Sequence, residues 1–193
     1  MNVYDFDGTI YDGDSSFDFF FFSLRRHPSI VLRLPAFAAA FFRYKAKKHD
    51  KTAMKQVFFS FVKRIPDIRC DVKAFWDKNE KKIYGWYAEQ KREDDLIISA
   101  SPEFLLRDIC ERLGVREPIA SRVDEKTGEF SGKNCHDREK VVRFSEKLPD
   151  AKIDSFYSDS RSDSPLAALA DTAFFIENGK PVPWGTVEEY LGD

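Results

Sequence analysis

The sequence predicts an α/β fold: a doubly wound, Rossmann-like parallel sheet that carries an inserted all-helical cap. Short apolar runs closed by Asp, Ser or Asn are typical of buried parallel strands whose C-terminal ends carry polar side chains. Four such runs occur, at residues 2–6, 96–98, 153–157 and 172–176. Helical stretches lie between the later runs, and this alternation favours a parallel sheet with helices on both faces.

Two helices of the sheet region have boundaries that can be read from the sequence. We expect one over residues 102–113, with Ser101 as its N-cap and Gly114 as its stop signal. The amphipathic stretch 137–148 predicts the other, which ends before a proline. Both are expected to cover the sheet.

The stretch from about residue 14 to residue 90 is rich in aromatic residues and contains no convincing strand run. Three apolar stripes at helical spacing cross it: Ile30, Leu34, Phe37 and Phe41; Met54, Val57, Phe58 and Phe61; and Val72, Phe75, Trp76, Ile83, Trp86 and Tyr87. We expect Pro35 to kink or break the first helix. Because the stretch is longer than one crossover needs, we predict a core of residues 1–13 and 91–193 and a cap of residues 14–90. Ordinary crossover helices packed on the sheet are the alternative.

Composition and charge exclude several classes of protein. With 42% hydrophobic and 33% charged residues, the chain is too apolar for general disorder. A net charge of −2 argues against a protein that binds nucleic acid along its whole surface. The three cysteines form no CxxC pair and no secretory signal is apparent, so we expect a reducing, cytoplasmic location. The oligomeric state is not predicted.

The strongest chemical signal is the pentapeptide DFDGT at residues 5–9, directly after the first predicted strand. A carboxylate such as Asp5 can attack phosphorus and form an aspartyl-phosphate. A second carboxylate, Asp7, can protonate the leaving oxygen and then activate water. Gly8 permits a tight turn where the backbone approaches a phosphate. An acidic turn without function is the alternative, because Asp-Gly is a common loop dipeptide.

Two later segments supply groups for binding a phosphate. Ser99 and Ala100 end the second predicted strand just before a helix, where a hydroxyl and main-chain N–H groups can bind phosphate oxygens. Lys140 lies in a later predicted helix, and its ammonium can offset the charge of two aspartates and a phosphoryl group. Lys133 is the rival for this role.

A third segment supplies oxygen ligands for a metal. Asp159 and Asp163 follow the third predicted strand and can join Asp5 in a site suited to Mg²⁺, which prefers carboxylates. No constellation of His and Cys indicates zinc.

In their order along the chain, the DFDGT, SAS, late lysine and SDxxxD segments resemble the four motifs of the haloacid dehalogenase superfamily. The helical stretch after the first motif resembles the cap of its phosphoserine-phosphatase-like branch. The resemblance implies that Asp5 is the nucleophile and Asp7 the general acid/base. It implies that the Asp5 side chain, the Asp7 carbonyl and Asp159 hold Mg²⁺. Asp163 would either bind Mg²⁺ directly or hold one of its ligands in place. Thr9 would position Asp7 and the phosphate.

A looser resemblance concerns the substrate. The SLRRHP segment at residues 23–28, the apolar stretch after it and YSDS at residues 157–160 are similar to a phosphatidylglycerophosphate phosphatase of the same branch. This resemblance implies a lipid phosphate as an alternative substrate. The apolar stretch 30–42 is interrupted by Arg33 and Pro35 and is shorter than the ~20 residues that span a bilayer. We therefore expect a cytoplasmic protein that is at most peripheral to the membrane.

The cap is expected to decide the substrate. It contains a block of aromatic residues with basic flanks: Phe17, Phe19, Phe20, Phe21 and Phe22, then Arg25, Arg26, Arg43, Lys45, Lys47 and Lys48. They form either a buried aromatic core with a solvated basic face, or a surface that meets a membrane or an amphiphilic phosphate.

Taken together, these features predict a Mg²⁺-dependent phosphomonoester hydrolase that acts through an aspartyl-phosphate on a small phosphorylated metabolite. Hydrolysis of a lipid phosphate at the membrane surface is the alternative. A receiver-like signalling module is disfavoured because Asp7 would shorten the life of a phosphorylated aspartate. A non-catalytic phosphate-binding protein is disfavoured because no expected catalytic residue is missing.

Overall fold

A computed structural model describes residues 1–48 and 50–185 of the chain. Its sheet has six strands in the spatial order β3-β2-β1-β4-β5-β6. They are β1 Asn2–Tyr4, β2 Leu96–Pro102, β3 Ile119–Ser121, β4 Ile153–Ser158, β5 Ala170–Glu177 and β6 Lys180–Pro183. The first five are parallel and β6 is antiparallel to β5. The predicted α/β class is confirmed; residues 186–193 of the predicted core and His49 of the predicted cap lie outside the described residues.

The central strand β1 lies between β2 and β4, so that Val3 is paired with Leu96 on one side and with Phe156 on the other. Successive residues of β2 alternate between two apolar clusters, with Leu96 and Ile98 in one and Ile97 in the other. This alternation shows that both faces of the sheet are covered. The parallel pairing of β1 with β2 and β4 brings the C-terminal ends of these strands together at one edge, where ligands bind in open α/β sheets.

The two predicted sheet helices are confirmed, as α6 Glu103–Leu113 and α7 Arg138–Lys147. Helix α6 ends at Gly114, whose φ of 67° is left-handed as expected for a glycine stop. The predicted N-cap of α6 is wrong, because Ser101 still belongs to β2 and Pro102 occupies the cap position. The Ser101 hydroxyl is engaged with the DFDGT loop instead, as described below.

The chain between β1 and β2 forms helices joined by turns and loops, and no strand of the sheet falls within its described residues. It contains the α-helices α1 Ser15–Arg26, α2 Leu34–Lys45, α3 Lys51–Phe59, α4 Ile68–Asn79 and α5 Gly85–Gln90, and 3₁₀ helices at Pro28–Arg33, Ser60–Arg64 and Glu80–Lys82. A short helix α8, Ser164–Ala167, follows β4. The division into a core and a cap that ends at residue 90 stays a prediction.

Each predicted apolar stripe is divided between two helices: an α-helix and a 3₁₀ helix in the first two stripes, and α4 and α5 in the third. The helix expected over the first stripe is broken next to Pro35: a 3₁₀ helix ends at Arg33, and α2 begins at Leu34 with Pro35 in its first turn, where proline is tolerated. Phe61 falls in the 3₁₀ helix that follows α3. In the third stripe, the 3₁₀ helix Glu80–Lys82 separates α4 from α5. None of the described helices is long and apolar enough to cross a bilayer.

Aromatic packing joins these helices to the DFDGT loop. The Phe6 ring stacks on Tyr11 at a centroid distance of 5.7 Å and meets the edge of Trp76 at 5.8 Å. The indole N–H of Trp76 donates a 2.8 Å hydrogen bond to the Leu105 carbonyl of α6. All three rings are fully buried. The loop that carries the two aspartates is therefore held between α4 and the sheet.

Candidate active site

The first predicted aspartate, Asp5, lies at the end of β1 against two buried groups. Its main-chain N–H donates to the Tyr157 carbonyl of β4 at 2.8 Å. Lys140 Nζ is 2.9 Å from Asp5 Oδ1 and 2.7 Å from Asp163 Oδ2. The Lys140 and Asp163 side chains are each 2% exposed and that of Asp5 is 13% exposed. The structure thus places Lys140, and not the exposed Lys133, against Asp5.

The charges in this cluster are strongly coupled. Burial raises the pKa of Asp5, and Asp163 and Asp159 raise it further, while Lys140 acts in the opposite direction. Burial also works against the charged form of Lys140, yet the carboxylates of Asp5 and Asp163 keep its pKa above the usual value. Lys140 is therefore an ammonium held by two carboxylates.

Asp7 is held by hydrogen bonds from the start of α1 and the end of β2. Its Oδ1 accepts from the Ser15 main-chain N–H at 2.7 Å, and its Oδ2 accepts from the Ser101 hydroxyl at 2.5 Å. Burial and then the charge of Asp14 raise the pKa of Asp7 to about 6, although both serines lower it. A carboxyl group with a pKa near neutrality is suited to general acid/base catalysis.

Gly8 and Thr9 fit tightly against Asp159, which follows β4. Gly8 has a φ of +71°, and a Cβ at this position would lie 2.2 Å from Asp159 Oδ2. The Thr9 hydroxyl accepts a hydrogen bond from the Asp159 N–H at 2.9 Å and donates to Asp159 Oδ1 at 3.3 Å. Thr9 meets Asp159 because β4 lies beside β1 in the sheet. The expectation that Thr9 positions Asp7 and the phosphate stays a prediction.

Ser99 and Ala100 lie at the same edge of the sheet. Strand β2 continues beyond Ile97, the partner of Tyr4, so these residues run alongside the DFDGT loop. Ser99 Oγ accepts from the Ser101 N–H at 3.0 Å, which leaves its own hydroxyl proton available to a ligand. The structure therefore brings together the predicted phosphate-binding segment and both catalytic candidates.

The four predicted metal residues are not equivalent. Asp163 Oδ2 accepts from Lys140 and, at 2.8 Å, from the Ser158 hydroxyl, which favours a positioning role. Within residues 1–48 and 50–185, no three His, Cys, Asp or Glu side chains form a ready ligand cluster. The remaining set, two carboxylates from Asp5 and Asp159 with the Asp7 carbonyl, consists of the hard oxygen donors that suit Mg²⁺. It also fits on charge, since burial and then Asp163 raise the pKa of Asp159 and a divalent cation would offset this excess of negative charge.

Three serines and a lysine near the site were missed by the sequence analysis. Ser15 and Ser101 contact Asp7, and Ser16 Oγ lies 2.8 Å from Ser101 Oγ. Lys55 of α3 donates a 3.0 Å hydrogen bond to the Ala100 carbonyl. Ser101 is 94 residues from Asp7 along the chain, so only the folded structure reveals this pairing. The serines after Gly13 were a readable signal, because a helix N-terminus there would aim their N–H groups back at the loop.

Comparison with known proteins agrees with this geometry. Residues 3–168 match the family model of haloacid dehalogenase-like hydrolases. The chain belongs to this family. Its relatives include Protein CicA of Caulobacter vibrioides, 29% identical over 199 residues that cover 93% of this chain and 87% of CicA.

Solved structures of low sequence identity share the fold of this hydrolase. A protein with unknown function from Bordetella pertussis Tohama I has a TM-score of 0.75 at 18% identity, with 91% of this chain and 88% of that chain covered. A substrate-bound phosphoserine phosphatase has a TM-score of 0.55 at 15% identity, with 89% and 82% covered. The predicted superfamily is thus confirmed, and the predicted branch is confirmed at the level of the fold.

Proposed function

We propose that this hydrolase is a Mg²⁺-dependent phosphatase in which Asp5 takes the phosphoryl group from a phosphomonoester. The observation that carries the proposal is the contact of Asp5 with the buried ammonium of Lys140. Asp7, two residues after Asp5, adds a second carboxyl group whose pKa is raised to about 6 by burial. Family membership and the fold shared with a phosphoserine phosphatase support it.

In the first step, an Asp5 oxygen attacks phosphorus while the bond to the leaving oxygen breaks. The protonated Asp7 carboxyl gives its proton to that oxygen. In the second step, Asp7 takes a proton from water, the water oxygen attacks phosphorus, and the acyl-phosphate bond breaks to release phosphate and free Asp5. Lys140, the Ser99 hydroxyl and the Ala100 N–H would hold the phosphoryl oxygens.

Mg²⁺ would be held by the Asp5 and Asp159 carboxylates and the Asp7 carbonyl. Bound there, it would screen the negative charge of the phosphoryl group from the carboxylates around it. Asp163 would keep Lys140 in place from the opposite side.

The direct test is hydrolysis of p-nitrophenyl phosphate with Mg²⁺, combined with mass-spectrometric detection of phosphate on Asp5. The variant Asp5→Asn should lose several orders of magnitude in kcat, because covalent catalysis requires the carboxylate. Asp150→Asn, an exposed aspartate before β4, is the matched control and should retain full activity. Near-normal turnover by a folded Asp5→Asn protein would refute the mechanism.

For the substrate, we propose a small phosphorylated metabolite in the cytoplasm. One observation favours a second candidate, a lipid phosphate at a membrane surface: an apolar groove of about 510 Å³ reaches the site. Its apolar walls are Phe17, Phe20, Leu34, Phe37, Phe41 and Phe58. Asp14, Ser16 and Lys55 also line it, and Ser16 contacts the serine that donates to Asp7. The aromatic residues of the predicted cap are of two kinds: Phe19 and Phe20 are buried, whereas Phe17 and Phe21 are exposed.

Flotation with anionic lipid vesicles distinguishes the two substrates. If the cap meets a membrane, changing Arg43, Lys45, Lys47 and Lys48 together to Gln should weaken vesicle binding by roughly 1 kcal/mol per charge. Four exposed lysines of the sheet region provide a control with the same change in net charge: Lys126, Lys147, Lys152 and Lys180. If the parent protein does not float with the vesicles, the lipid-phosphate candidate is refuted and the small phosphorylated metabolite remains the proposed substrate.

A further inference from the structure

Helix α3 brings two lysines to the mouth of the active site. Lys51 and Lys55 are four residues apart and therefore lie on the same face of the helix. Lys55 Nζ reaches the Ala100 carbonyl at 3.0 Å, inside the predicted phosphate-binding segment. Burial lowers the pKa of both ammonium groups, while Asp14 and Asp7 act in the opposite direction on Lys55. Both side chains are thus partly buried in the electrostatic field of the site's carboxylates.

Neither lysine has a carboxylate partner within 4 Å in the part of the chain that the structure describes. Lys63, in the 3₁₀ helix after α3, does have one in Glu129. A partly buried ammonium without a counter-charge is unfavourable. Lys51 is also the first residue of α3, where the helix dipole disfavours a cation. The pair therefore costs stability in the free protein, and an anion bound beside it would remove that cost.

In the proposed function, Lys140 already supplies the cation for the transferred phosphoryl group. The anion that would pair with Lys51 and Lys55 is therefore a different group. Lys55 lines the groove that leads away from the site, together with Met54 and Phe58 of the same helix. A leaving group that extends from Asp5 into this groove would lie beside Lys55, which contacts the Ala100 carbonyl at its inner end. We propose that Lys51 and Lys55 bind a second anionic group, a phosphate or carboxylate, on the leaving-group side of the substrate.

This inference rests on the proposed phosphatase function and narrows its substrate class. A merely structural role for Lys55 is the alternative, since α3 is also tied to the sheet region by other hydrogen bonds. Thr52 Oγ1 accepts from the Asn134 N–H at 3.2 Å, and Gln56 Oε1 accepts from the Phe130 N–H at 3.3 Å. A tether would affect all substrates equally, whereas an anion subsite affects only those with a second anion.

The test compares glycerol 1,3-bisphosphate with glycerol 3-phosphate, which lacks only the second phosphoryl group. We expect the parent protein to prefer the bisphosphate by about tenfold or more in kcat/KM, the size of one charge-assisted hydrogen bond. Lys55→Met should reduce this preference to roughly the twofold statistical factor of two equivalent phosphates. Lys55→Arg should keep most of it, and Lys63→Met should leave it unchanged. An equal loss on both substrates in Lys55→Met, or no preference in the parent protein, would overturn the inference.

Binding separates this inference from the proposed function. In the Asp5→Asn protein, calorimetry with Mg²⁺ should show tighter binding of the bisphosphate by about tenfold. In the Asp5→Asn/Lys55→Met protein the difference should fall to about the twofold statistical factor. Such a result supports the anion subsite even if the parent protein hydrolyses neither these compounds nor p-nitrophenyl phosphate, an outcome that would refute only the phosphatase. Equal binding of both compounds by Asp5→Asn would refute the subsite alone.

Discussion

The active site has a sheet side and a helical side, and they differ in whether charged groups have partners of opposite charge and whether apolar side chains are buried. On the sheet side, Lys140 is buried between Asp5 and Asp163. On the helical side, Lys51 and Lys55 lack carboxylate partners among the described residues, and large apolar side chains such as Phe42 are exposed. A preorganised cluster is what chemistry on a common phosphoryl group requires. Unmatched charge and apolar surface are what a substrate-specific leaving group would cover. In the proposed function, the sheet side would therefore supply the chemistry and the helical side the selectivity.

The largest effect should come from breaking the matched side. In Lys140→Met, the buried carboxylates of Asp5 and Asp163 lose their common partner. We expect a loss of about 3–5 kcal/mol in the free energy of unfolding, measured in urea at neutral pH. The kcat for p-nitrophenyl phosphate should fall about 100- to 1,000-fold.

The matched control for Lys140 is Lys133→Met, the rival lysine in the sequence. Its exposed side chain predicts a change within about 0.5 kcal/mol and nearly normal turnover. If the two variants behaved alike, the sheet side would not be the preorganised half of the site.

Removal of the metal tests the same side through its carboxylates. Dialysis against EDTA should abolish activity, and Mg²⁺ should restore it, because the phosphate dianion otherwise meets uncompensated aspartates. Asp159→Asn should raise the Mg²⁺ concentration at half-maximal activity by roughly 10- to 100-fold. Asp150→Asn should leave it unchanged. Full activity in metal-free protein, or restoration by zinc alone, would show that the donor set is misread.

The residues that sequence analysis could place are those whose role follows from local position. Asp5 and Asp159 directly follow strands, and parallel strands bring their ends to one edge. Ser101 and Lys55 could not be placed, because their partners lie 94 and 45 residues away along the chain. Strand β6 was missed because its Lys-Pro-Val-Pro sequence has two prolines, which suit only an edge strand.

A smaller effect should distinguish close packing in the site from backbone strain elsewhere. Gly8 and Gly114 both have left-handed φ angles, +71° and +67°. An added Cβ meets Asp159 Oδ2 at 2.2 Å in the first case and nothing within 4 Å in the second. Gly114→Ala should therefore cost only the strain of about 1 kcal/mol in thermal or urea unfolding. Gly8→Ala should cost more and should also lower kcat, because Asp159 must move; equal effects in the two variants would contradict the tight fit of the loop.

The smallest expected effect concerns the open, helical side. Phe42 is 70% exposed at the end of α2, so Phe42→Ser removes little buried surface, and the free energy of unfolding should change by no more than about 0.5 kcal/mol. Phe19→Ala is the matched variant from the same helical segment: its ring is fully buried and packs against Phe75 at 5.5 Å, which predicts a loss of about 3–5 kcal/mol. A large loss in Phe42→Ser would mean that another surface covers this residue in solution. The apolar surface of the helical side would then be covered, and the contrast with the sheet side would fail.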